Sequence, residues 1–292
     1  MFYRKSLGSR LFDVFNYALL VLLSLSMLLP FIHILAVSLS DSLYVMAGQV
    51  TLWPRGFTFF NYVRVLHDPT VLLSYRNTVF YTVVGTLISI LFTAMTGYAL
   101  ANRLMIFRKS LTVLFVFPMM FGGGLIPTYL VIRALGMVDT IWAIIIPGAV
   151  GSWSVLVMRT FFLNLPYELE EAAKIDGMSE IGVFFTIVLP LSKALLATMS
   201  LFCAVGLWNS YFTPLIYINS RNKFPLQIYL QNMLTISQKS ELLEFSSGGQ
   251  TKMIAIVIRY TTIMVATLPI ICVYPFLQKY FVKGTLLGSL KG

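Results

Sequence analysis

The sequence predicts an all-α, polytopic membrane protein with six transmembrane helices. Of its 292 residues, 58% are hydrophobic and only 11% are charged, whereas a soluble domain is about 45–50% apolar and about 25% charged. A soluble fold of this composition would expose much apolar surface to water. Composition therefore argues against a soluble enzyme, a disordered chain and a disulfide scaffold. The apolar residues also fall into six separated runs, each able to span a membrane in about 20 residues.

Each of the six runs is long enough to cross the hydrocarbon core as a helix. Backbone groups in lipid must be hydrogen-bonded internally, which favours helices over open strands. Basic residues precede the first run as in a secretory signal, but its apolar stretch exceeds the usual core of about 7–15 residues, so we expect an uncleaved helix. The predicted spans are residues 14–39, 77–101, 111–132, 140–163, 193–218 and 253–277.

The connections indicate one transmembrane domain over residues 1–292, without a second soluble domain. Two long connections, 40–76 and 219–252, carry turn residues and apolar stretches that predict short interfacial helices. The glycines at 122–124 predict a helix break, a bend or close packing in the third run.

The formal charge of +10 predicts contact with a lipid bilayer rather than with nucleic acid. The basic residues flank the apolar runs, where they meet anionic headgroups and orient the helices. Their distribution weakly favours a cytoplasmic location for both termini. Cys203 and Cys272 lie within apolar runs and are expected to be buried thiols. No cysteine and histidine cluster has the spacing of metal ligands, so we expect no metal site.

The segment from Asn164 to Pro190 is a polar connection that concentrates acidic residues. Pro166 suits the first position of a helix, and the glutamates that follow suit a first turn, where the helix dipole favours negative charge. Asp176-Gly177 predicts a turn that ends this short helix. A second helical piece is predicted from residue 179 to 189, where Pro190 stops it.

Two short helices joined at a glycine would form a compact projecting hairpin. Ala172 and Ala173 would leave its surface smooth, so that another protein could approach closely. Physical reasoning alone leaves two alternatives open. The hairpin is either a docking element or an ordinary solvated loop with helical character.

The spacing within this segment resembles a known signature. Glu171-Ala172-Ala173 is followed after three residues by Gly177, and nine residues later by Ile187-Val188-Leu189-Pro190. This pattern resembles the EAA signature of bacterial ABC importer permeases. The resemblance implies the type I (MetI-like) permease fold, with the hairpin in the cytoplasm and its coupling helix in a cleft of an ATPase subunit. It assigns ATPase coupling to Glu171, Ala172, Ala173, Asp176, Gly177, Leu189 and Pro190.

Further stretches are similar to sugar permeases related to the maltose transporter, above all residues 208–215 and 274–284. The resemblance implies a subunit of the bacterial cytoplasmic membrane that pairs with a homologous second permease and two ATP-binding subunits. An extracytoplasmic solute-binding protein would deliver the saccharide, an oligosaccharide or polysaccharide fragment. The alternative is a permease for another solute, such as an amino acid or a peptide.

The sequence contains no G-x-x-x-x-G-K-[ST] phosphate loop. We therefore expect a transport subunit that is not an enzyme and holds no cofactor, with ATP and magnesium bound by the partner ATPase. A membrane enzyme would need a set of polar catalytic groups within the spans, which the sequence lacks.

Trp208, Asn209 and Tyr211 are the candidates for the substrate pathway. An aromatic ring can pack on a sugar ring, and an amide can hydrogen-bond its hydroxyl groups. The alternative is that they are interfacial aromatic residues with an amide that bridges helices.

Overall fold

A computed structural model describes residues 7–242, 256–272 and 275 of the chain. Every regular element within these ranges is helical, which confirms the predicted all-α class. The α-helices are α1 (Leu7–Ser38), α2 (Ser42–Met46), α3 (Phe60–Leu66), α4 (Pro69–Ala101), α5 (Arg108–Met120), α6 (Leu125–Ala134), α7 (Trp142–Ile145), α8 (Ser152–Leu163), α9 (Tyr167–Ile175), α10 (Glu180–Val183), α11 (Leu189–Leu191), α12 (Lys193–Trp208), α13 (Phe212–Tyr217), α14 (Leu226–Leu242) and α15 (Ile256–Cys272).

Two of these helices are long and apolar enough to cross a membrane unaided. They are α1 and α4, with 32 and 33 residues. The spans predicted at 14–39 and 77–101 fall on them. Both helices begin before the predicted spans, because polar residues at a helix end do not interrupt the backbone ladder.

The other apolar runs are divided into bent pairs of helices. The axes of α5 and α6 differ by 120°, and those of α7 with its 3₁₀ extension and α8 differ by 48°. A third bend of 84° separates the segment 180–191 from α12. Counting each pair as one span gives five spans among the described residues. The sixth stays a prediction, since α15 is shorter and the remainder of 253–277, except residue 275, lies outside the described residues.

The break between α5 and α6 occurs at the predicted glycine triplet. Gly124 has a φ of +79°, a conformation that glycine adopts without the steric cost of a side chain. The chain turns there instead of continuing as one helix. The expected break or bend at Gly122–Gly124 is therefore confirmed.

The chain divides into two compact units, and each has its own packing. Among the described residues, the first comprises 7–69 together with 230–242 and 256–268. In it, the Asn61 amide donates to the carbonyl oxygens of Ser38 and Ser40, at 3.3 and 3.0 Å. These bonds satisfy backbone groups at the end of α1, where the intrahelical ladder stops.

Among the described residues, the second unit comprises 70–229 together with 269–272 and 275, and α4 runs through it. The C-terminal half of α4 packs against α8, α10, the π-helical segment 184–188 and α12. A Cβ atom on Gly97 would lie 3.0 Å from the Cβ of Met158, so this glycine permits the close approach of α4 and α8. A buried core cluster therefore lies at the C-terminal end of α4, beside the hairpin. Its fully buried members include Ala94, Met158, Val183 and Val188.

Candidate functional site: the hairpin between α8 and α12

The first arm of the hairpin is α9. Pro166 precedes it as the capping residue, one position earlier than expected, and Glu168 and Glu170 lie in the first turn. Lys174 lies in the last turn, so charges at both ends complement the helix dipole. The arm ends at Gly177, whose φ is +83°, and the Met178 amide donates to the carbonyl of Ala173 at 2.9 Å. The predicted turn at Asp176-Gly177 is confirmed.

The second arm begins where Ser179 caps α10, accepting a hydrogen bond from the Gly182 amide at 3.2 Å. The chain then forms a π-helix over 184–188 and continues as α11 to Leu191. The prediction that Pro190 stops this piece was wrong, because helix continues past it. The wider π-turn just before the proline alters the i→i−4 pattern that a proline would otherwise interrupt.

The predicted coupling residues divide between two surfaces. Glu171, Ala172, Asp176 and Gly177 are exposed at the tip of the hairpin. Ala173 is only 6% exposed and belongs to the core cluster around Met158. The expectation that both alanines form the smooth outer surface was therefore wrong for Ala173, which faces inward because the helix turns by about 100° per residue.

At the base of the hairpin, Leu189 packs partly buried against the same core and Pro190 is exposed. Ile175, at the end of α9, is 85% exposed. Its apolar side chain protrudes next to the turn. Sequence reasoning did not single it out, although an isoleucine beside Asp176-Gly177 was a usable signal.

A polar network joins the hairpin to α4. The Tyr98 hydroxyl lies 3.4 Å from Glu170 Oε2 and 3.4 Å from Glu180 Oε2. Lys174 Nζ forms an ion pair with Glu180 Oε1 at 2.6 Å. We call these four residues the Tyr98 network. It links the C-terminal end of α4 to both arms of the hairpin.

The environment of the network shifts the pKa values of Glu170 and Lys174. Burial raises the pKa of Glu170, the nearby charge of Lys174 lowers it, and the charge of Glu180 raises it again. The hydrogen bond to Glu180 raises the pKa of Lys174. The ammonium group therefore remains charged at neutral pH, while Glu170 gains a proton more readily than an exposed glutamate.

Two cavities flank Tyr98. The larger, of about 320 Å³, lies between the end of α4 and the second arm, with Asn102, Glu180 and Phe184 in its wall. The smaller, of about 30 Å³, is lined by Arg103, Tyr167 and Glu170 on the side of the first arm. Tyr98 thus lies between these two cavities.

The predicted pathway residues lie at the end of α12. Trp208 is 8% exposed, and the edge of its ring faces Tyr75 with 5.8 Å between ring centroids. The Asn209 side chain is exposed and accepts a hydrogen bond from Gln227 Nε2 at 3.5 Å, while Tyr211 is half-buried. A role in the pathway stays a prediction for all three.

A separate cavity of about 340 Å³ lies earlier along α12. Ser89 and Thr93 of α4, Trp153 and Ser154 of α8, and Cys203 of α12 are among its lining residues. Hydroxyl groups beside an exposed indole ring can form hydrogen bonds to a polyhydroxylated ligand and stack against it. Among the described residues, His, Cys, Asp and Glu form no group with the geometry of a metal site.

Sequence reasoning missed a second polar cluster, at the N-terminal end of α4. The Asp139 carboxylate accepts hydrogen bonds from the amides of Asn219 and Ser220, at 3.0 and 2.9 Å, and from the Ser220 hydroxyl. It also pairs with Lys223 Nζ at 2.9 Å. These hydrogen bonds hold the pKa of Asp139 well below its usual range. We call Asp139, Ser220 and Lys223 the Asp139 clasp.

The clasp is tied to α4 by three further hydrogen bonds. Asn77 Nδ2 donates to the carbonyl of Asn222 at 2.8 Å, and the Tyr81 hydroxyl donates to the carbonyl of Lys223 at 2.9 Å. The Leu226 amide donates to Thr78 Oγ1 at 2.7 Å. Asp139 itself has a φ of +60°, which aspartate tolerates better than most residues.

The part of the sequence that contains the hairpin matches a known transport family. Residues 100–286 match the binding-protein-dependent transport system inner membrane component family. The chain belongs to this family. It is therefore a membrane-spanning transport subunit rather than an enzyme, and the resemblance carried by the EAA segment is confirmed.

Curated relatives align along nearly the whole chain. The polygalacturonan/rhamnogalacturonan transport system permease protein YtcP of Bacillus subtilis is 41% identical, with 97% of this chain and 99% of the relative covered. The arabinooligosaccharides transport system permease protein AraQ of Halalkalibacterium halodurans is 31% identical, with 90% and 91% covered.

The fold also matches a solved transporter. A chain from the crystal structure of a bacterial ABC transporter involved in import of the acidic polysaccharide alginate superposes with a TM-score of 0.86. It is 34% identical, and the match covers 96% of this chain and 100% of that chain. The fold is therefore shared over nearly the whole of both chains.

Proposed function

We propose that this protein is one of two permease subunits of an ATP-driven importer that carries an oligosaccharide or polysaccharide fragment across the bacterial cytoplasmic membrane. The single observation that carries the proposal is the exposed hairpin of α9 and α10, with an EAA signature at its tip and polar attachment to α4 at its base. The functions of these relatives, which include polygalacturonan, arabinooligosaccharide and alginate transport, support a saccharide substrate over an amino acid or peptide.

The tip of the hairpin would contact an ATP-binding subunit. Glu171, Ala172 and Asp176 are exposed on it, and the apolar side chain of Ile175 protrudes beside them. ATP and magnesium would be held by two such subunits, so this chain would supply no group to the hydrolysis. The orientation follows from this contact, because nucleotide is cytosolic. The hairpin and both termini would be cytoplasmic, and the Asp139 clasp would face outward.

The substrate would pass near the end of α12. Asn209 offers an exposed amide and Tyr211 a half-buried phenol. Trp208, which packs against Tyr75, would hold this end of α12 in place. The pathway would be completed by a homologous second permease. A binding protein on the outer side would deliver the saccharide.

Reconstitution tests the proposal. The chain is placed in proteoliposomes with the second permease, the two ATPase subunits and the binding protein, and a panel of acidic and neutral oligosaccharides is screened. We expect at least one saccharide to stimulate ATP hydrolysis and to accumulate in the lumen. Stimulation by amino acids or peptides, with no response to any saccharide, would overturn the assignment of substrate class.

A further inference from the structure

Tyr98 presents one hydroxyl hydrogen to two carboxylates. Its oxygen is equidistant, at 3.4 Å, from Glu170 on the first arm and Glu180 on the second. A strong O–H···O hydrogen bond is about 2.7–2.8 Å long. The hydroxyl can therefore form a short bond with one arm at a time, after a movement of about 0.6 Å toward it.

The charges around the hydroxyl are unbalanced. Two carboxylates face it, and the ammonium group of Lys174 is bound to Glu180. Glu170 is consequently the carboxylate that depends most on the hydroxyl for a partner. Shifting the hydroxyl from one glutamate to the other changes which arm is held against α4.

Aromatic side chains pack against the ring of Tyr98, while its hydroxyl lies within reach of both Glu170 and Glu180. The side chain is 8% exposed. The ring centroid lies 6.2 Å from that of Phe162 and 5.4 Å from that of Phe184. A phenylalanine would fill the same space, so packing alone does not explain the hydroxyl. A polar group at this depth is costly unless it forms hydrogen bonds.

We propose that Tyr98 is a positioning residue whose hydroxyl alternates between Glu170 and Glu180, and thereby transmits movement of the hairpin into α4. The inference rests on the proposed function, because it assumes that the hairpin is moved by an ATPase subunit. It adds to that function the contact through which movement of the hairpin is transmitted to α4. The two states differ in which hydrogen bond of the Tyr98 hydroxyl is short. As the bond to one glutamate forms, the bond to the other lengthens.

The test uses Tyr98→Phe in the complete reconstituted transporter. This variant keeps the ring and removes the hydroxyl. We expect the amount of saccharide imported per ATP hydrolysed to fall about fivefold to tenfold, because a charge-assisted hydrogen bond no longer discriminates between the two states. Tyr129→Phe is the matched control. Its ring stacks on Tyr217 at 6.0 Å, and removal of its hydroxyl should leave the ratio unchanged.

A double-mutant cycle separates positioning from a purely structural role. If Glu170 acts through the hydroxyl, Tyr98→Phe combined with Glu170→Gln should lower the import ratio no further than Tyr98→Phe alone. Additive losses would overturn the inference, as would a lower melting temperature with an unchanged ratio. If Tyr98→Phe does not assemble, Glu170→Ala with Glu180→Ala removes both acceptors of the hydroxyl, and an unchanged ratio in that variant overturns the inference equally.

The two proposals fail in different ways. A wild-type complex that no saccharide stimulates would count against the proposed function. A wild-type complex that imports saccharide, together with a Tyr98→Phe variant that imports equally well per ATP, would remove this inference and leave the proposed function standing.

Discussion

The two ends of α4 are held by polar contacts of opposite character. At the N-terminal end, the Asp139 carboxylate is saturated by two backbone amides, a hydroxyl and an ammonium group, with distances to the amides and ammonium of 2.9–3.0 Å. At the C-terminal end, one hydroxyl serves two carboxylates, at 3.4 Å from each. The Asp139 carboxylate thus has a donor for each of its hydrogen bonds. The two carboxylates beside Tyr98 share a single hydroxyl hydrogen.

This difference indicates which end can move. A carboxylate whose hydrogen bonds are all satisfied loses several of them in any displacement, so the Asp139 clasp should act as a fixed point. The Tyr98 network can instead exchange one long hydrogen bond for a shorter one. In a transporter with two conformational states, the N-terminal end of α4 would then stay in place, and its C-terminal end would move with the hairpin.

The largest expected effect comes from Gly177→Asp at the tip of the hairpin. The residue has a φ of +83°, and a Cβ atom would meet nothing within 4 Å. The cost is therefore a strained backbone of about 1–2 kcal/mol together with a new charge on the docking surface. We expect the variant to insert normally into the membrane. The amount of saccharide that it imports per ATP hydrolysed should be at least about tenfold lower than in the wild type. Proteoliposome uptake and ATP hydrolysis are measured together.

Gly136→Asp is the matched control for this substitution. Gly136 has a φ of +67°, and its Cβ position is also open. Its backbone cost is similar, but it lies near the Asp139 clasp instead of the hairpin. Its import ratio should equal that of the wild type. Equal losses in both variants would mean that backbone strain, and not docking, sets the ratio.

The sequence predicted the parts of the structure that depend on local chemistry. The helical class followed from apolar runs, the hairpin turn from Asp176-Gly177, and the break in the third run from Gly122–Gly124. Each of these features is encoded within a few neighbouring residues. The bend angles were not predicted, since they depend on what the two halves of each pair pack against.

The candidate site was predictable at its tip and not at its base. The EAA segment is one continuous stretch, so its resemblance to a known signature could be recognised from the sequence. Tyr98 and Glu170 are 72 positions apart, and nothing in either local sequence indicates their contact. Asp139 and Ser220 are separated by 81 positions. Ala173 was misassigned because a small side chain gives no hydrophobic signal for the face it occupies.

A smaller effect is expected from Asp139→Asn, which tests the fixed end. The amide removes the ion pair with Lys223 and weakens several charge-assisted bonds, so we expect a loss of about 1.5–3 kcal/mol of stability. The import ratio per ATP should not change. Because hydrogen bonding lowers the pKa of Asp139, its contribution is present above the usual aspartate range and is lost as pH falls through the depressed value. Thermal unfolding of the purified protein at neutral and acidic pH measures this difference. An altered ratio at full stability would mean that the clasp also moves.

The smallest effect, with the opposite sign, is expected from Glu170→Gln. Burial is the main reason that the pKa of Glu170 is raised, so the ionised carboxylate costs stability at neutral pH. Its contribution is most favourable below the usual glutamate range and is lost as pH rises through the raised value. Glutamine removes that cost, so the melting temperature at neutral pH should be unchanged or higher by up to about 2 °C. The difference should vanish in acid, where the wild-type glutamate is protonated. A variant that is less stable at neutral pH would show that Glu170 is held by Lys174 as firmly as Asp139 is held by Lys223, and the contrast between the two ends of α4 would disappear.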